Sequence, residues 1–554
     1  VAATRDGARA RIGLLGKAAA LATVLLLGPC IYPPVAAQTA EEGQGAKPAP
    51  RKAKASTGDK AASKSRTPPE AASRPSEQRT ASQTPAKPAK RLDPAKLDPL
   101  RLGSSEAMQV DPGKLDPKSP NTWLVVGLVE GVGGNIAGAK ESLERAIALG
   151  ERRNKAVAAA AAVVLSRVRT IGLNLIRADA GAAASFGGTP SKDTTNFLDG
   201  EFKGIKGLLE KAIALCGAAG RKDGMATGYA LLGELYSRNT DYEEAQAAIG
   251  KALALNKALG NKKGMAANYR ALADTNRYDL DQAETLLKEA LGLHKSLGLD
   301  EELATDYEKL GAINKIRGEP YEAERLYKQA LALTPRQIQG RVLRALQQLY
   351  RDRDDPGQAA EMEEQASAIG KEQQSGGRLY FSSDLGLYRS SLAVKAQTEA
   401  LEKAVPLEKK VGHWVGLATS YTLLGMHYSE RARLEEETAA ILSGRAEAMM
   451  RESLALNRTL GRELAVAHVY RELASIIDDR GDVTGVDEIL KDAYQLHKKL
   501  GKETDMVRLY SSLAYGRSRR GDKAQECDYW RKGATAFPEQ KDLVDALNRC
   551  GKTQ

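Results

Sequence analysis

Among the 554 residues the side chains best suited to metal or nucleophilic chemistry are five histidines and four cysteines, and their spacing suits neither. None of the histidines opens an HExxH pair, and no GxSxG elbow is present. The GKT at Gly551 to Thr553 has Ala546 where a phosphate loop needs its first glycine. The run Gly131 to Gly138 (GVGGNIAG) has the glycine density of a phosphate cradle, but it lies between Gly127 and Ala139, where two antiparallel helices need a turn. His294 and His497 occupy the same place in a repeated pattern as Cys216, Asn256, Thr334 and Asn457. Equivalent places in adjacent helical units stand about 8–10 Å apart, too far for two side chains to share one ion. The expectation is a chain with no catalytic residues, no metal site and no cofactor.

Charge excludes a second class. The net charge is +11, but residues 1–37 hold +3 of it and residues 38–100 hold +6, leaving +2 for everything after. A nearly neutral body has no general phosphate-binding surface, so nucleic acid is not an expected partner. Arg5, Arg9, Arg11 and Lys17 precede the apolar run Ala18 to Leu27, and Val35-Ala36-Ala37 follows, the pattern of a signal peptide over 1–37 cleaved before Gln38. Cys30 lies where a lipoprotein cysteine would, but Pro29 before it is unsuited to that site. This pattern implies export to the periplasm or cell envelope. The alternative is an uncleaved segment that anchors the N-terminus, the one expected membrane contact.

Residues 38–118 are rich in Ala, Lys, Pro, Ser and Thr, with too few large apolar side chains to offset the entropy of ordering, and read as a disordered linker. An 80-residue tether of that kind spans on the order of 50 Å. It carries LDP at Leu92, Leu97 and Leu115, either a small docking motif or plain linker. After residue 118 the chain repeats itself. LALNKALG (Leu253 to Gly260), LGLHKSLG (Leu291 to Gly298), LALNRTLG (Leu454 to Gly461) and YQLHKKLG (Tyr494 to Gly501) are copies of one pattern. Tyr229, Tyr269 and Tyr307, then Tyr421, Tyr470 and Tyr510, recur at intervals of 40, 38, 49 and 40. A period near 40 with helical spacing in each half predicts stacked helical hairpins.

In the unit from Ala304 to Gln337, Gly311, Ala323, Tyr327, Ala330 and Pro335 follow the spacing of the tetratricopeptide repeat, which this chain resembles. Tyr229, Gly233, Tyr236, Ala245, Ile249 and Ala252 match, as do Trp123, Gly127, Gly134, Ala139, Leu143 and Ala146. Other units are looser: the pair within 154–217 has a long turn, the unit of Tyr421 has about nine extra residues before Ala446, and Pro406 should kink a helix in the weak stretch 340–412. The resemblance implies an all-α, right-handed superhelical solenoid of about nine hairpins over 119–540, closed by a capping helix within 541–554. It also implies a non-catalytic scaffold or adaptor that binds another protein or peptide on its concave face. The alternative is a peptide-responsive regulatory sensor, and a third possibility is an unrecognised enzyme site in the insertion between Tyr428 and Ala446.

In that family the groove is lined by outward side chains of each first helix. Here these include Arg270, Asp274, Arg277, Lys315, Arg341, Arg344 and Arg351, then Arg471, Asp478, Arg508 and Tyr515. Clustered guanidinium groups favour an acidic peptide or a free C-terminal carboxylate, which arginine binds bidentately. Cys527 and Cys550 flank the turn at Pro538 at nearly equal distances, so antiparallel packing of the last helix and its cap places them face to face. Either a disulfide or two buried thiols fits, while Cys216 is expected to stay free. Cleavage after Ala37 predicts a mature chain that begins at Gln38. Edman sequencing of protein purified from its native host checks this, and a retained Arg5-to-Lys17 segment would show an anchor instead.

Overall fold

The computed structural model describes residues 92–185, 192–276, 278–335, 339–376, 380–382, 387–389, 391–433 and 435–551, so the expected signal peptide and most of the expected linker lie outside the described residues. The first array has six helical hairpins: α1 (Pro120–Val132) with α2 (Ile136–Arg153), α3 (Lys155–Ser185) with α4 (Lys192–Ala218), and α5 (Lys222–Arg238) with α6 (Tyr242–Ala258). It continues through α7 (Lys262–Thr275) with α8 (Leu280–Leu297), α9 (Asp300–Ile316) with α10 (Pro320–Leu333), and α11 (Gly340–Asp352) with α12 (Pro356–Gly376). Beyond a short antiparallel ribbon of β1 (Tyr380–Ser382) and β2 (Leu387–Arg389) comes α13 (Ser391–Val411). Three more hairpins follow: α14 (Trp414–Ala432) with α15 (Ala439–Thr459), α16 (Glu463–Asp479) with α17 (Val483–Lys499), and α18 (Glu503–Arg519) with α19 (Lys523–Ala536); α20 (Lys541–Gly551) closes the array.

The hairpins pack as tetratricopeptide-type units do, small residue against large. A Cβ at Gly311 of α9 would lie 2.8 Å from the Tyr327 ring of α10, so only glycine lets the two helices approach this closely. Gly127 faces Leu143 and Gly425 faces Met450 in the same way. The repeated octets end in glycines with positive φ, at 63° for Gly260, 64° for Gly298, 66° for Gly461 and 62° for Gly501. Glycine tolerates that left-handed position without strain, which is why it stops each second helix there.

The sequence-based expectations require correction in three places. First, the stack is interrupted: α13 does not continue from α12 but returns to pack on α1, while α14 packs on α2, about 270 residues upstream in sequence. A Cβ at Gly133, at the end of α1, would lie 2.8 Å from the Leu401 side chain of α13. Ala404, Leu407 and Val411 of α13 share one apolar core with Trp123, Val126 and Val129 of α1. Second, the linker stops short of 118. Leu92 pairs with Val110 in an isolated parallel bridge, and Ala107, Val110 and Leu115 are buried against the same core. The three LDP sequences are therefore part of the fold: Asp93 caps a 3-10 turn at Ala95, and Asp98 accepts both guanidinium nitrogens of Arg221 at 3.0 Å. Third, the long turn expected within 154–217 is mostly helix, because α3 runs to Ser185 through alanines that favour helix and α4 begins at Lys192. Pro406 lies inside α13, which runs on to Val411.

The seam of α13 on α1 generates a direct test. Leu401 is fully buried, so Leu401→Ala is expected to cost about 2–5 kcal/mol in urea unfolding, whereas Leu401→Met costs less than about 1.5 kcal/mol. An alanine cost at the level of an exposed site, within about 0.5 kcal/mol, would mean that the seam is not formed.

Candidate functional site

The first helices of the first array carry the expected groove residues, and the repeat sets acids of one unit against bases of the next. Asp274 of α7 accepts from Lys309 of α9 at 2.6 Å. Arg270 of α7 reaches Asp306 of α9 at 3.4 Å, and Asp306 also meets His294 Nδ1 of α8 at 2.6 Å. Arg341 of α11 pairs with Glu308 of α9 at 2.6 Å, and Lys315 of α9 pairs with Asp352 of α11 at 2.7 Å. Arg351 lies 3.0 Å from Glu363 of α12, and Arg471 of α16 lies 2.9 Å from its neighbour Glu472. Arg344 is exposed on α11, and Arg277 lies outside the described residues.

These cations do not gather on one point. Lys309, Arg341 and Lys315 each use a carboxylate on a neighbouring first helix, and Arg351 and Arg471 use one close by in their own hairpin, so the guanidinium cluster expected from the sequence is largely neutralised. Exposed pairs of this kind contribute about 0–1 kcal/mol each, so the ladder is a minor source of stability. In the second array Asp478 is buried among Arg517, Arg520 and the Tyr529 hydroxyl, which donates to it at 2.7 Å. Tyr515 is left exposed on that first-helix face, with its ring edge-on to Trp530 at 5.1 Å.

The groups that sequence reasoning missed lie in the seam. Glu130 of α1 and Glu408 of α13 are both fully buried, and their carboxyls are hydrogen-bond partners. His413, in the turn from α13 to α14, places Nδ1 2.8 Å from Glu130 Oε1 and 3.2 Å from Ser142 Oγ of α2. Its Nε2 is 3.3 Å from Glu141 Oε2, and its ring meets Trp123 edge-on at 5.7 Å. Asn135 Nδ2, in the turn from α1 to α2, donates to the Gly416 carbonyl at 2.9 Å, to Ser420 Oγ at 3.0 Å and to Glu408 Oε1 at 3.3 Å. Ser420 Oγ donates to Glu408 Oε1 at 2.8 Å. Burial pushes Glu130 from 4.5 up to about 8, and burial together with the neighbouring Glu130 charge lifts Glu408 well above the usual carboxylate range. One signal was available in advance: Glu130 is a lone acid inside the apolar stretch WLVVGLVEGV.

Among the described residues, no group of three or more His, Cys, Asp or Glu side chains is placed to hold a metal ion. The stretch between Tyr428 and Ala446 forms the end of α14, a 3-10 turn at Glu436–Thr438 and an early start to α15, with Arg431 paired to Glu435 at 2.9 Å. No helix among the described residues is long and apolar enough to cross a membrane.

No protein-family model and no curated protein sequence matches the chain. Similar solved structures include BtubC from P. vanneervenii, 19% identical over 43% of this chain and 89% of that one, with a TM-score of 0.34. A Rap protein complexed with competence and sporulation factor is 13% identical over 65% of this chain and 96% of that one, with a TM-score of 0.30. The apo quorum sensor NprR from B. thuringiensis is 14% identical over 57% of this chain and 94% of that one, also with a TM-score of 0.30. With likeness this low, function has to be argued from this chain's own side chains.

At the C-terminal end Cys527 of α19 and Cys550 of α20 are joined as a disulfide, with Cα atoms 5.7 Å apart, and Cys216 is a buried thiol pushed up to about 11 by burial. Non-reducing peptide mapping is expected to recover the 527–550 crosslink, with Cys216 alkylated only after unfolding. Cys527→Ser with Cys550→Ser should lower stability by about 3 kcal/mol. Recovery of two free thiols from the native protein would contradict the bond.

Proposed function

We propose that this chain is a non-catalytic adaptor that binds another protein or peptide through the first-helix faces of its two arrays. The observation that carries the reading is the ladder of ion pairs between consecutive first helices, Asp274 with Lys309, Glu308 with Arg341 and Lys315 with Asp352. Acids and bases alternate along one face at the spacing of the repeat. A partner segment carrying both signs can exchange with these pairs one for one, which gives register and selectivity with little net electrostatic cost. A uniformly acidic peptide or a single C-terminal carboxylate would have to break them, so the mixed-charge partner is the better fit. The buried titratable groups at the seam support the non-catalytic reading, because they are engaged in contacts between helices rather than converging on an open cleft.

The adaptor is proposed to work outside the cytoplasm, in the periplasm or cell envelope. Two features support this: the basic-then-apolar pattern of residues 1–37, and the Cys527–Cys550 bond, which persists in oxidising compartments. The second reading, a peptide-responsive sensor, is favoured by the polar character of the seam, since a joint held by hydrogen bonds re-forms more readily than one held by close apolar packing alone. Compaction in solution scattering on adding a bound peptide would select it over a static adaptor.

Crosslinking in intact cells with the mature protein as bait is expected to capture a partner. Replacing Arg341, Arg344 and Arg351 together with Ala is expected to reduce its recovery by about tenfold, the effect of losing roughly 1.4 kcal/mol at the interface. Undiminished recovery from a folded triple variant would remove the first-helix face of the first array as the binding surface.

A further inference from the structure

Among the described residues the two arrays meet chiefly through what α13 and α14 place on α1 and α2, with a smaller contact from α13 to the 3-10 turn at Pro112–Lys114, and the centre of the joint is polar. Glu130 Oε2 and Glu408 Oε2 are buried with no donor among the neighbouring side chains. A buried carboxylate oxygen without a donor costs about 1–3 kcal/mol or more, and two ionised carboxylates in contact would add mutual repulsion. One proton between the two carboxyls removes both penalties at once, because it makes one oxygen a donor and the other its acceptor. We propose that the seam is a proton-operated latch: a proton shared by the Glu130 and Glu408 carboxyls holds the two arrays together, and its loss releases the second array from the first.

The surroundings fit such a device. From α2, Ser142 and the half-exposed Glu141 face His413, and from α14 the Ser420 hydroxyl and the Gly416 carbonyl face Glu408 and Asn135. The turn before α14 contributes the His413 imidazole, set against Glu130. Arg145 of α2 stands over the Trp123 ring at 4.1 Å. α3, which also packs on α1, presents the buried apolar run from Val157 to Val163. When Glu130 ionises, its burial and the nearby Glu141 oppose the new charge, and the hydrogen bonds from Ser142 and a protonated Glu408 only partly offset them. Around this polar centre the joint is apolar, with Leu401 against Gly133 and with Ala404, Leu407 and Val411 in the core of α1, so an ionised pair in their midst is poorly solvated.

The direction in pH follows from the folded and unfolded values. Burial raises Glu130 from 4.5 to about 8, so the stability that its neutral form contributes is complete below about 4.5 and declines above it. That stability is exhausted as pH rises through about 8, and the pair titrates as a unit because the two carboxyls share the proton. Acid therefore closes the latch and alkali opens it, the reverse of the usual paired carboxylate.

The test uses the full mature chain and its own tryptophans. Trp123 is in the seam against His413, and Trp414 begins α14 at the edge of the same contact, whereas Trp530 lies in α19. Tryptophan emission and small-angle scattering are followed from about pH 5.5 to about pH 9.5, with the ratio of open to closed chain expected to rise by up to about tenfold per pH unit and to level off above about 8. Far-UV circular dichroism should stay constant, because the hairpins persist while the arrays separate. Glu130→Gln keeps the hydrogen bond without a titrating proton and is expected to abolish the transition and remain compact throughout. Glu408→Gln should do the same, and it carries the test if Glu130→Gln fails to fold. A wild-type radius and emission that do not change with pH would overturn the latch. So would folded Gln variants that keep the wild-type midpoint, or an opening accompanied by loss of helix.

Discussion

A leucine packed on a glycine determines how this chain is assembled. Leu401 of α13 rests against the backbone at Gly133 so closely that a single added methyl would meet it, and this contact joins the second array to the start of the longer first array by setting α13 beside α1. Everything else about the joint follows from that choice of neighbour. The turn residues Asn135 and His413 come into register, and Glu130 and Glu408 are carried into the interior with no cation beside them strong enough to hold both ionised. The N-terminal strap from Leu92 to Leu115 covers the remaining apolar edge of α1 and reaches α5 through Asp98 and Arg221.

Much of the repeat was legible because it is local. The separation of Gly311 from Tyr327, or of Gly425 from Met450, is short, and the need for a small residue beneath a large one reads directly from spacing. The closing glycines of the octets announce a left-handed residue at the end of each second helix. The interruption was illegible for the opposite reason. The buried face of α13, with Leu401, Ala404 and Leu407, has the same amphipathic pattern whether it is covered by α12 or by a helix more than two hundred residues upstream. Nothing in a helical period names the neighbour that covers it.

The candidate interface shows the same division. The tyrosine register placed Arg270, Lys315, Arg341 and Arg351 on first helices, but a list of cations on one face omits the acids that the next repeat brings opposite them. Lys309 meets Asp274, 35 residues away, because one period of the solenoid sets them side by side. The ladder thus comes from the repeat itself, and it is why the partner we propose carries mixed charge rather than acidic charge alone. Glu130 gave a signal of a different kind, a charge with no obvious reason to stand in an apolar helix, and its reason is a partner residue that only the folded chain supplies.

The account depends most on the return of α13 to α1 and α2. Crosslinking mass spectrometry on dilute, monomeric chain with a short lysine-reactive reagent tests it directly, since five intervening hairpins at about 10 Å each would otherwise separate the two regions. Links from Lys140 of α2 to Lys409 or Lys410 of α13 are expected within one chain. Their absence, together with links joining α13 to the end of α12, would show an unbroken stack and contradict the arrangement described.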